Sequence, residues 1–421
     1  MSSVVPDGWE LTTLNSNASL ITDGSHFSPL TAEDGKPIAT VKNMNSRHID
    51  VASCRLISEE DFNELVKGNS SPCINDVLFS KDGTVGKTFV YRQKDQIVLL
   101  SSIAIIRLYQ DKLVPEYCTQ YLQSPFFYQT LENTKSGSAI RRIVLKDIKQ
   151  LTIPKPPLPE QQKIATILSS VDDVIELTQA QIDKLKDLKT GMMQELLTKG
   201  IGHTEFKDSP VGKIPAGWDV KRLNELVTIK HGYAFEGEYF RTSKTNHILL
   251  TPGNFNRDGR LYFGPKTKYY EGPIPDGYIL ENGDVLVVMT DLTKEMTILG
   301  NTIILQSPSV VLHNQRIGKV EPVEDDVVTT EFLCLVLNSD RVKTHVKDTA
   351  TGTTVRHSSP TKILEPLVPV PSLIEQEKIM SIFSSVDDRL AIGESKLVSS
   401  QNIKKALMQD LLTGKVRVSV N

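Results

Sequence analysis

The chain has 421 residues, of which 39% are hydrophobic and 24% are charged, and its formal net charge at pH 7 is -3. This length exceeds one ordinary hydrophobic core and predicts two or three domains, and the composition is that of a globular protein. No apolar run reaches the roughly 20 residues of a membrane-spanning helix, and a charge so near neutral gives no sign of a nucleic-acid partner.

The N-terminus and the cysteines exclude two further classes of protein. The segment MSSVVPDGWE has neither a basic start nor an apolar core, so no secretory signal is expected and a cytoplasmic location is predicted. The four cysteines form no CxxC pair, which argues against a disulfide framework and against a thiolate metal site. Buried free thiols are the simpler expectation.

Residues 1–157 form the first predicted domain. Their apolar runs are short and are separated by Gly, Asn, Asp and Pro, as at 76–80 and 97–100. Such runs are typical of strands joined by turns. We therefore predict a strand-rich, mixed α/β domain in a protein of the α+β class.

Residues 158–199 are predicted to form one long helix. Pro159 suits the first turn of a helix and Gly200 suits the position after its end. A capping-box pattern at 169–173 leaves a break in the helix as the alternative. About 40 residues would give a rod of ~60 Å, whose apolar stripe must be buried against a partner. The stripe, with spacings of three and four residues, consists of Ile164, Ile167, Val171, Val174, Leu185, Leu188, Met192 and Leu196.

A Gly-rich linker, residues 200–213, leads to a second series of elements. Residues 214–371 again contain short apolar runs and predict a second strand-rich domain. Residues 372–414 predict a second long helix, and 415–421 form a tail. The apolar stripe of this second helix consists of Ile379, Ile382, Val386, Leu390, Leu397, Ile403, Leu407 and Leu411.

The two halves of the chain are copies of one unit. Residues 158–173 return as 373–388, at an offset of 215. Near the start of each half, residues 5–9 match 214–218 at an offset of 209, so the second copy has a few extra residues between its matched ends. Loops that differ on a shared scaffold produce this drift. We infer a tandem duplication in which each long helix has the other as its obvious packing partner.

One segment resembles a phosphate-binding loop. Residues 83–88 match its end, but the full pattern requires Gly where Lys81 stands. Nucleotide binding is therefore disfavoured. A loop that offers Lys81 and Lys87 to a DNA phosphate is the preferred interpretation.

No catalytic constellation emerges from the remaining motifs. Asp23, Asp34 and Lys36 are residue types that a metal-dependent nuclease uses, but so loose a pattern arises by chance, and a turn is the better interpretation. The sequence has no base-methylation motif, no methyl-donor loop and no HxxxH pair. We therefore predict no catalytic residue, no metal site and no cofactor for this chain.

Basic residues cluster at equivalent positions of the two copies. Between residues 135 and 155 six residues are basic and one is acidic, and the matching region of the second copy is basic too. A solvated face is enough to explain one such run. Because the run occurs in both copies, contact with DNA phosphates or base edges is as good an explanation as a solvated face. The residues predicted to bind DNA are Lys81, Lys87, Lys135, Arg141, Arg142, Arg316, Lys347 and Arg356.

Taken together, the repeated motifs resemble a known family, the specificity subunits of type I restriction-modification systems. Each motif is short, but their order and their repetition over nearly the whole chain are specific. The motifs are Pro-x-Gly-Trp at 6–9 and 215–218, Asp-Val-Leu at 76–78 and 284–286, and Pro-x-Pro-x-x-x-Glu-Gln at 154–161 and 369–376.

The resemblance implies two target recognition domains related by a pseudo-two-fold axis, with the two long helices packed antiparallel as a coiled coil between them. Each domain would read one half of a bipartite target in double-stranded DNA. The helices would set the spacer and dock two methyltransferase subunits, joined in the full complex by motor-nuclease subunits. The methyl donor and ATP would bind these partners, so this chain would be non-catalytic. No base-reading residue carries over from the family, because those loops vary with the target.

Two other classes of function stay open at this point. A coiled-coil scaffold or adaptor would bind proteins through its domains and would not shift duplex DNA with or without a partner. A methyltransferase or nuclease with an unrecognised site would modify or cut DNA on its own.

Overall fold

The computed structural model describes residues 5–133, 142–256, 259–324 and 326–419, without the side chains of 130–133. Within this part of the chain, no helix is both long enough and apolar enough to cross a membrane.

The chain divides into two compact units. The first consists of Met1–Gln181 and Gly393–Asn421, and the second is Ile182–Ile392. Each unit therefore combines one predicted recognition domain with a part of each long helix.

The first unit contains nine strands and four short helices among its described residues, and it includes the first part of a long helix. In chain order these elements are β1 (Glu10–Thr13), β2 (Ala18–Asp23), β3 (Lys36–Ala39), β4 (Arg55–Ile57), α1 (Glu59–Lys67), β5 (Val77–Ser80), β6 (Thr88–Val90), β7 (Val98–Leu99), β8 (Ile103–Leu108), α2 (Pro115–Leu122), α3 (Pro125–Asn133), α4 (Leu145–Gln150), β9 (Thr152–Lys155) and the long helix α5 (Leu158–Lys199). Three single turns of 3-10 helix lie at Asn15–Asn17, Val41–Asn43 and Val51–Ser53.

The centre of the first domain is an antiparallel sheet with the strand order β2-β8-β5-β6. Every residue of β5 is buried, as expected for a strand that is covered on both faces. Beside it, β3 pairs antiparallel with β4 and parallel with β7, and β1 pairs with β9. The core joins the sheet to the long helices, since Phe79 of β5 and Ile164 of α5 belong to one buried cluster.

The second unit repeats this plan with additional strands. In chain order its elements are β10 (Phe206–Ser209), β11 (Gly212–Pro215), β12 (Asp219–Arg222), α6 (Leu223–Leu226), β13 (Val227–His231), β14 (Phe240–Arg241), β15 (His247–Leu249), β16 (Lys268–Tyr270), β17 (Ile279–Leu280), β18 (Val285–Val288), β19 (Thr290–Asp291), β20 (Thr302–Ile304), β21 (Val310–Leu312), β22 (Ile317–Pro322), α7 (Thr330–Leu337), α8 (Asp340–Asp348), β23 (Arg356–His357), α9 (Pro360–Ile363), β24 (Leu367–Val370) and the long helix α10 (Leu373–Leu412). Single 3-10 turns lie at Gly237–Tyr239 and Pro252–Asn254.

Two sheets of the second unit match sheets of the first in strand order. The order β13-β22-β18-β20 corresponds to β2-β8-β5-β6, and the pair β12-β24 corresponds to β1-β9. The parallel pair β15-β21 corresponds to β3-β7, but here it belongs to a five-stranded sheet, β14-β16-β15-β21-β17. The duplication inferred from the sequence is therefore present at the level of topology.

The repeated Asp-Val-Leu motif has a structural explanation. Asp76, just before β5, accepts a hydrogen bond from the Cys73 N–H and forms a bidentate pair with Arg107 of β8, with distances of 2.8 and 2.9 Å. Asp284 repeats this by accepting from the Glu281 N–H and pairing with Lys319 of β22 at 2.9 Å. Each aspartate thus fixes the turn before the central strand and ties that strand to its neighbour.

The two long helices are antiparallel within each unit. In the first unit, Glu160 pairs with Arg417 and Asp172 pairs with Lys404, so residue numbers rise along α5 as they fall along α10. In the second unit, Lys189 pairs with Asp387, and the Ile201 N–H donates to Glu375. The buried residues of α5 and α10 are mostly apolar, and they are Ile164, Ala165, Leu168, Ile182, Leu197, Ile379, Phe383, Val386, Leu390, Met408, Leu411 and Leu412, with Glu160, Gln161, Thr178, Gln376 and Ser400 among them.

Part of the predicted apolar stripe is exposed. Val174, Leu188 and Ile403 are 41%, 51% and 55% exposed, so their predicted burial is wrong. At 100° per residue, Leu188 lies about 120° around the helix from the line through Ile164 and Ile182. A spacing of three or four residues places an apolar residue near a face but does not limit how wide that face is.

The Gln of the repeated Glu-Gln motif anchors each long helix to its own domain. The Gln161 side chain accepts from the Val114 N–H at 2.8 Å and donates to the carbonyls of Lys112 and Pro156. Gln376 makes the same three bonds, to the Thr329 N–H and to the carbonyls of Val327 and Pro371. Both glutamines are 0% exposed, so the side-chain end of each bond is shielded from water.

In the first unit, the Glu of the same motif binds the tryptophan that opens the domain. Trp9 Nε1 donates to Glu160 Oε2 at 3.0 Å, and Arg417 donates to both carboxylate oxygens. Burial by itself would raise the pKa of Glu160, but the hydrogen bonds from Arg417 and Trp9 outweigh it and leave the pKa below its ordinary value.

The second unit repeats this anchor with a histidine in place of the arginine. Trp218 Nε1 donates to Glu375 Oε2 at 2.8 Å, and His203 Nε2 lies 2.7 Å from Oε1. Burial would raise the pKa of Glu375, but bonds from the Ile201 N–H, Trp218 and His203 lower it overall. Gly200, in the left-handed region at φ +64°, ends α5 directly against Trp218, where a Cβ would lie 2.6 Å from the indole.

The glutamine anchor leads to a stability prediction. Replacement of Gln161 by Leu removes the side-chain partner of the Val114 N–H and of two carbonyls, one of them in a buried bond, so we expect the free energy of unfolding to fall by roughly 2–4 kcal/mol. Urea unfolding of the full chain measures this change. The matched control is Gln162→Leu at the exposed next position, which should change stability by less than about 0.5 kcal/mol. If both variants lost the same free energy of unfolding, the conclusion that Gln161 anchors α5 to its domain would be wrong.

Candidate nucleic-acid interface

A closed turn joins β5 to β6 in the first domain and carries the residues that sequence analysis selected. Ser80 closes it, because its hydroxyl donates to the Thr84 carbonyl at 2.6 Å and accepts from the Lys87 N–H at 2.7 Å. Gly83 and Gly86 have φ values of +72° and +100°, which only glycine adopts at little cost. The turn connects two antiparallel strands rather than a strand and a helix, so the phosphate-binding-loop interpretation does not apply.

Two predicted residues of this turn lie in opposite environments. Lys81 is 1% exposed, and its Nζ is 3.1 Å from Asp23 Oδ2 and 3.5 Å from Asp82 Oδ2. Lys87 is exposed, although its Nζ donates to the Met44 carbonyl at 2.8 Å. The side chain of Lys87 therefore lies at the surface, whereas the charge of Lys81 is engaged inside the domain.

The second basic element of the first domain approaches this turn from later in the chain. Arg142 is 58% exposed, and its Nε lies 3.4 Å from Asp82 Oδ2. The backbones of Asp82 and Arg142 form a β-bridge, and the Ile143 N–H donates to the Lys81 carbonyl at 2.8 Å. Lys135 and Arg141 lie outside the described residues.

The second domain builds the same junction with other side chains. The Ser358 N–H donates to the Met289 carbonyl at 3.0 Å, as Ile143 does to Lys81, and β23 pairs with β19. The hydroxyl of Thr290 lies 3.0 Å from Nδ1 of His357. Buried Asp291 accepts two hydrogen bonds from Thr293 and so shapes the loop that follows β19.

This junction brings two of the three predicted residues of the second domain together. Arg316 is exposed, and its carbonyl accepts from the Met289 N–H at 3.1 Å. Arg356 is half-buried opposite Asp291, and its buried Nε has no hydrogen-bond partner among the residues that the structure describes. Lys347 is half-buried on α8, in a different element.

Asp82 and His357 belong to the two junctions but are not among the residues that the sequence analysis predicted to bind DNA. Asp82 contacts Arg142 and His357 contacts Thr290, and in both cases strand pairing brings together residues that are far apart along the chain. One sequence signal could have found His357, since it follows Arg356 at the position that corresponds to Arg142 in the first copy.

The described residues contain no group of three or more His, Cys, Asp or Glu side chains that could hold a metal ion. In particular, Asp23 is committed to Lys81 and His26, and it does not form the nuclease-like trio considered from the sequence.

Comparison with known proteins identifies the family. The family model described as the type I restriction modification DNA specificity domain matches twice, at residues 6–187 and 215–399. The chain belongs to this family. The two matches coincide with the two copies of the repeat, so each copy is one specificity domain.

Similar proteins cover most of this chain. The type I restriction enzyme MjaVIII specificity subunit of Methanocaldococcus jannaschii is 27% identical over 354 residues, which are 82% of this chain and 80% of that protein. The putative MjaX specificity subunit of the same organism is 26% identical, over 98% of this chain and 95% of that protein. The crystal structure of a type I S subunit from M. genitalium shares the fold, with a TM-score of 0.57, 16% identity and coverage of 98% and 97%.

The arginines at the two junctions lead to a binding prediction. Replacement of Arg142 or of Arg356 by Ala should weaken binding of duplex DNA, and the slope of log K against log salt should fall by about 0.9 for each phosphate that the variant no longer binds. Filter binding between about 50 and about 200 mM salt measures this slope. Lys163→Ala, at an exposed position on α5, is the control that should leave the slope unchanged. Affinity and slope both equal to wild type in both arginine variants would assign these residues to a solvated surface.

Proposed function

We propose that each recognition domain of this specificity subunit reads one half of a bipartite target in double-stranded DNA. The observation that carries the proposal is the pair of equivalent junctions at the ends of β5 and β18, which share backbone bonds but differ in side chains. A common scaffold places a loop in the same way twice, and different side chains on it read different bases. Two unlike half-sites follow from two unlike loops.

Within this proposal the basic residues fall into two groups, those located at the junctions and those predicted from the sequence alone. Lys87, Arg142, Arg316 and Arg356 are the candidates for contacts with phosphates or base edges, because they lie at the two junctions and their side chains are exposed or half-buried. Lys135, Arg141 and Lys347 remain predicted contacts. The near-neutral net charge of the chain is compatible with DNA binding if partner subunits supply part of the phosphate contact.

We further propose that the long helices dock two copies of a methyltransferase subunit. Among the apolar residues of α5 and α10 that are more than half exposed, the repeat relates four in pairs: Leu177 (65%) with Ile392 (69%), and Leu188 (51%) with Ile403 (55%). Leu177 and Ile403 belong to the first unit, and Leu188 and Ile392 to the second. Because each unit presents the same pair, the chemistry fits two copies of one partner.

The proposed division of labour places catalysis on the partners. The methyl donor and ATP would bind methyltransferase and motor-nuclease subunits, and this chain would supply target recognition and, through its helices, the spacer between half-sites. A protein that acts on genomic DNA in this way works in the cytoplasm. The scaffold alternative predicts that no duplex is shifted even when the methyltransferase is present.

A domain exchange tests the modular reading of DNA. Replacement of residues 1–157 by the matching domain of a related specificity subunit should change one half of the methylated motif and leave the other half intact. Methylome sequencing of a host that expresses the hybrid with its methyltransferase measures both halves. If both halves changed in a folded hybrid, the two domains would not read independently.

A charge substitution tests the docking surface. Aspartate at both Leu177 and Ile403 should reduce the number of bound methyltransferase subunits from two to one, since a buried unpaired carboxylate opposes association. Native mass spectrometry of the co-expressed complex counts the subunits. Val398→Asp is the matched control: Val398 is 55% exposed on the same helix, but its repeat position is Asp183. Retention of both subunits by the double variant, or their loss in the control, would contradict the proposal that this surface docks the methyltransferase.

A further inference from the structure

Lys81 is a fully buried lysine at the end of the central strand of the first domain. Lysine is almost never this buried unless its charge is paired. Here the ammonium group has two carboxylate neighbours, Asp23 at 3.1 Å and Asp82 at 3.5 Å. Asp23 also has His26 Nε2 at 3.2 Å. A buried charge of this kind holds its partners in a fixed geometry.

The charge of Lys81 is linked to the surface through Asp82. Asp82 Oδ2 lies between Lys81 Nζ and Arg142 Nε, which is 3.4 Å away on the far side of the β-bridge. The side-chain series Asp23, Lys81, Asp82 and Arg142 thus alternates in charge from the core to the exposed loop. Each member is placed by the one before it.

The second domain shows that the fold of the junction does not require this lysine. Met289 occupies the equivalent position and makes the same two backbone bonds, from its N–H to Arg316 and from Ser358 to its carbonyl. Beside it, a hydroxyl-imidazole contact between Thr290 and His357 replaces the ion pairs. An apolar side chain at this position is therefore sufficient for the backbone hydrogen bonds of the junction. The charge of Lys81 must serve another purpose.

We propose that Lys81 is a positioning residue that fixes the direction of the Arg142 side chain through Asp82, and so sets the specificity of the first half-site without touching DNA. The inference rests on the proposed DNA-reading function of this domain. It assigns to Lys81 a role that differs from a phosphate contact in one measurable respect. A phosphate contact contributes to the salt dependence of binding, whereas the positioning of a side chain that reads a base edge does not.

The test uses the full chain co-purified with its methyltransferase, with the target motif known from methylome sequencing. In the main variant Lys81→Met is combined with Asp23→Asn, so that no carboxylate is left buried without a partner. In the second variant Asp82→Asn breaks the link to Arg142 at a side chain that is 31% exposed. Asp82→Glu retains the charge and tests rescue. Circular dichroism establishes that each variant is folded.

Binding is measured on the target duplex and on duplexes with one mismatch in either half-site. We expect the main variant and Asp82→Asn to lose about tenfold of the discrimination against first-half mismatches, within the range of one base contact. Discrimination in the second half and the salt slope should equal those of wild type, and Asp82→Glu should restore part of the first-half discrimination.

Three results would overturn the assignment. A salt slope lower by about 0.9 in the main variant but unchanged in Asp82→Asn would make Lys81 a direct phosphate contact. Unchanged first-half discrimination in the folded main variant would make it a purely structural residue, and equal losses in both halves would indicate a general defect. Failure of the proposed function itself looks different, because the wild-type complex would then show no preference for any duplex.

Discussion

The structure depends on one constraint, the burial of a glutamine at the start of each long helix. Gln161 and Gln376 each satisfy one N–H and two carbonyls of their own domain, so the helix can begin at one place and in one direction only. The loss of the bond to the Pro156 or Pro371 carbonyl leaves a buried backbone group without this partner, which costs about 1–3 kcal/mol. The residue before each glutamine then adds the tryptophan contact that ties the start of the domain to the same helix end.

This constraint explains how one chain closes two similar units. In each unit the glutamate at the start of one long helix meets a basic side chain from beyond the end of the other, Arg417 in the first unit and His203 in the second. The antiparallel pairing of the helices in each unit follows, because a helix start must lie beside a helix end. The repeat therefore encodes more than two similar domains, since each copy contributes its helix start to its own unit and its helix end to the other.

Much of this organisation could be predicted from the sequence, because it depends on local patterns. Features that depend on contacts between distant residues could not be predicted. The long helices were predictable because periodicity over about 40 residues is a strong signal. The burial of Lys81 was not, since its main partner, Asp23, is distant in sequence and reaches it only through the order of the sheet. The exposure of Leu188 could not be predicted either, because spacing does not say which part of an apolar face its partner covers.

The two junctions show how such a scaffold accommodates new specificities. The backbone bonds from Ile143 to Lys81 and from Ser358 to Met289 are the same, while the side chains beside them form ion pairs in one domain and a hydroxyl-imidazole contact in the other. Hydrogen bonds between backbone groups are independent of side-chain identity, so they preserve the position of the loop as its side chains change. Base recognition requires the opposite, side chains that differ from one target to the next. In this arrangement the backbone junction keeps the loop in place, and the surrounding side chains are free to diverge.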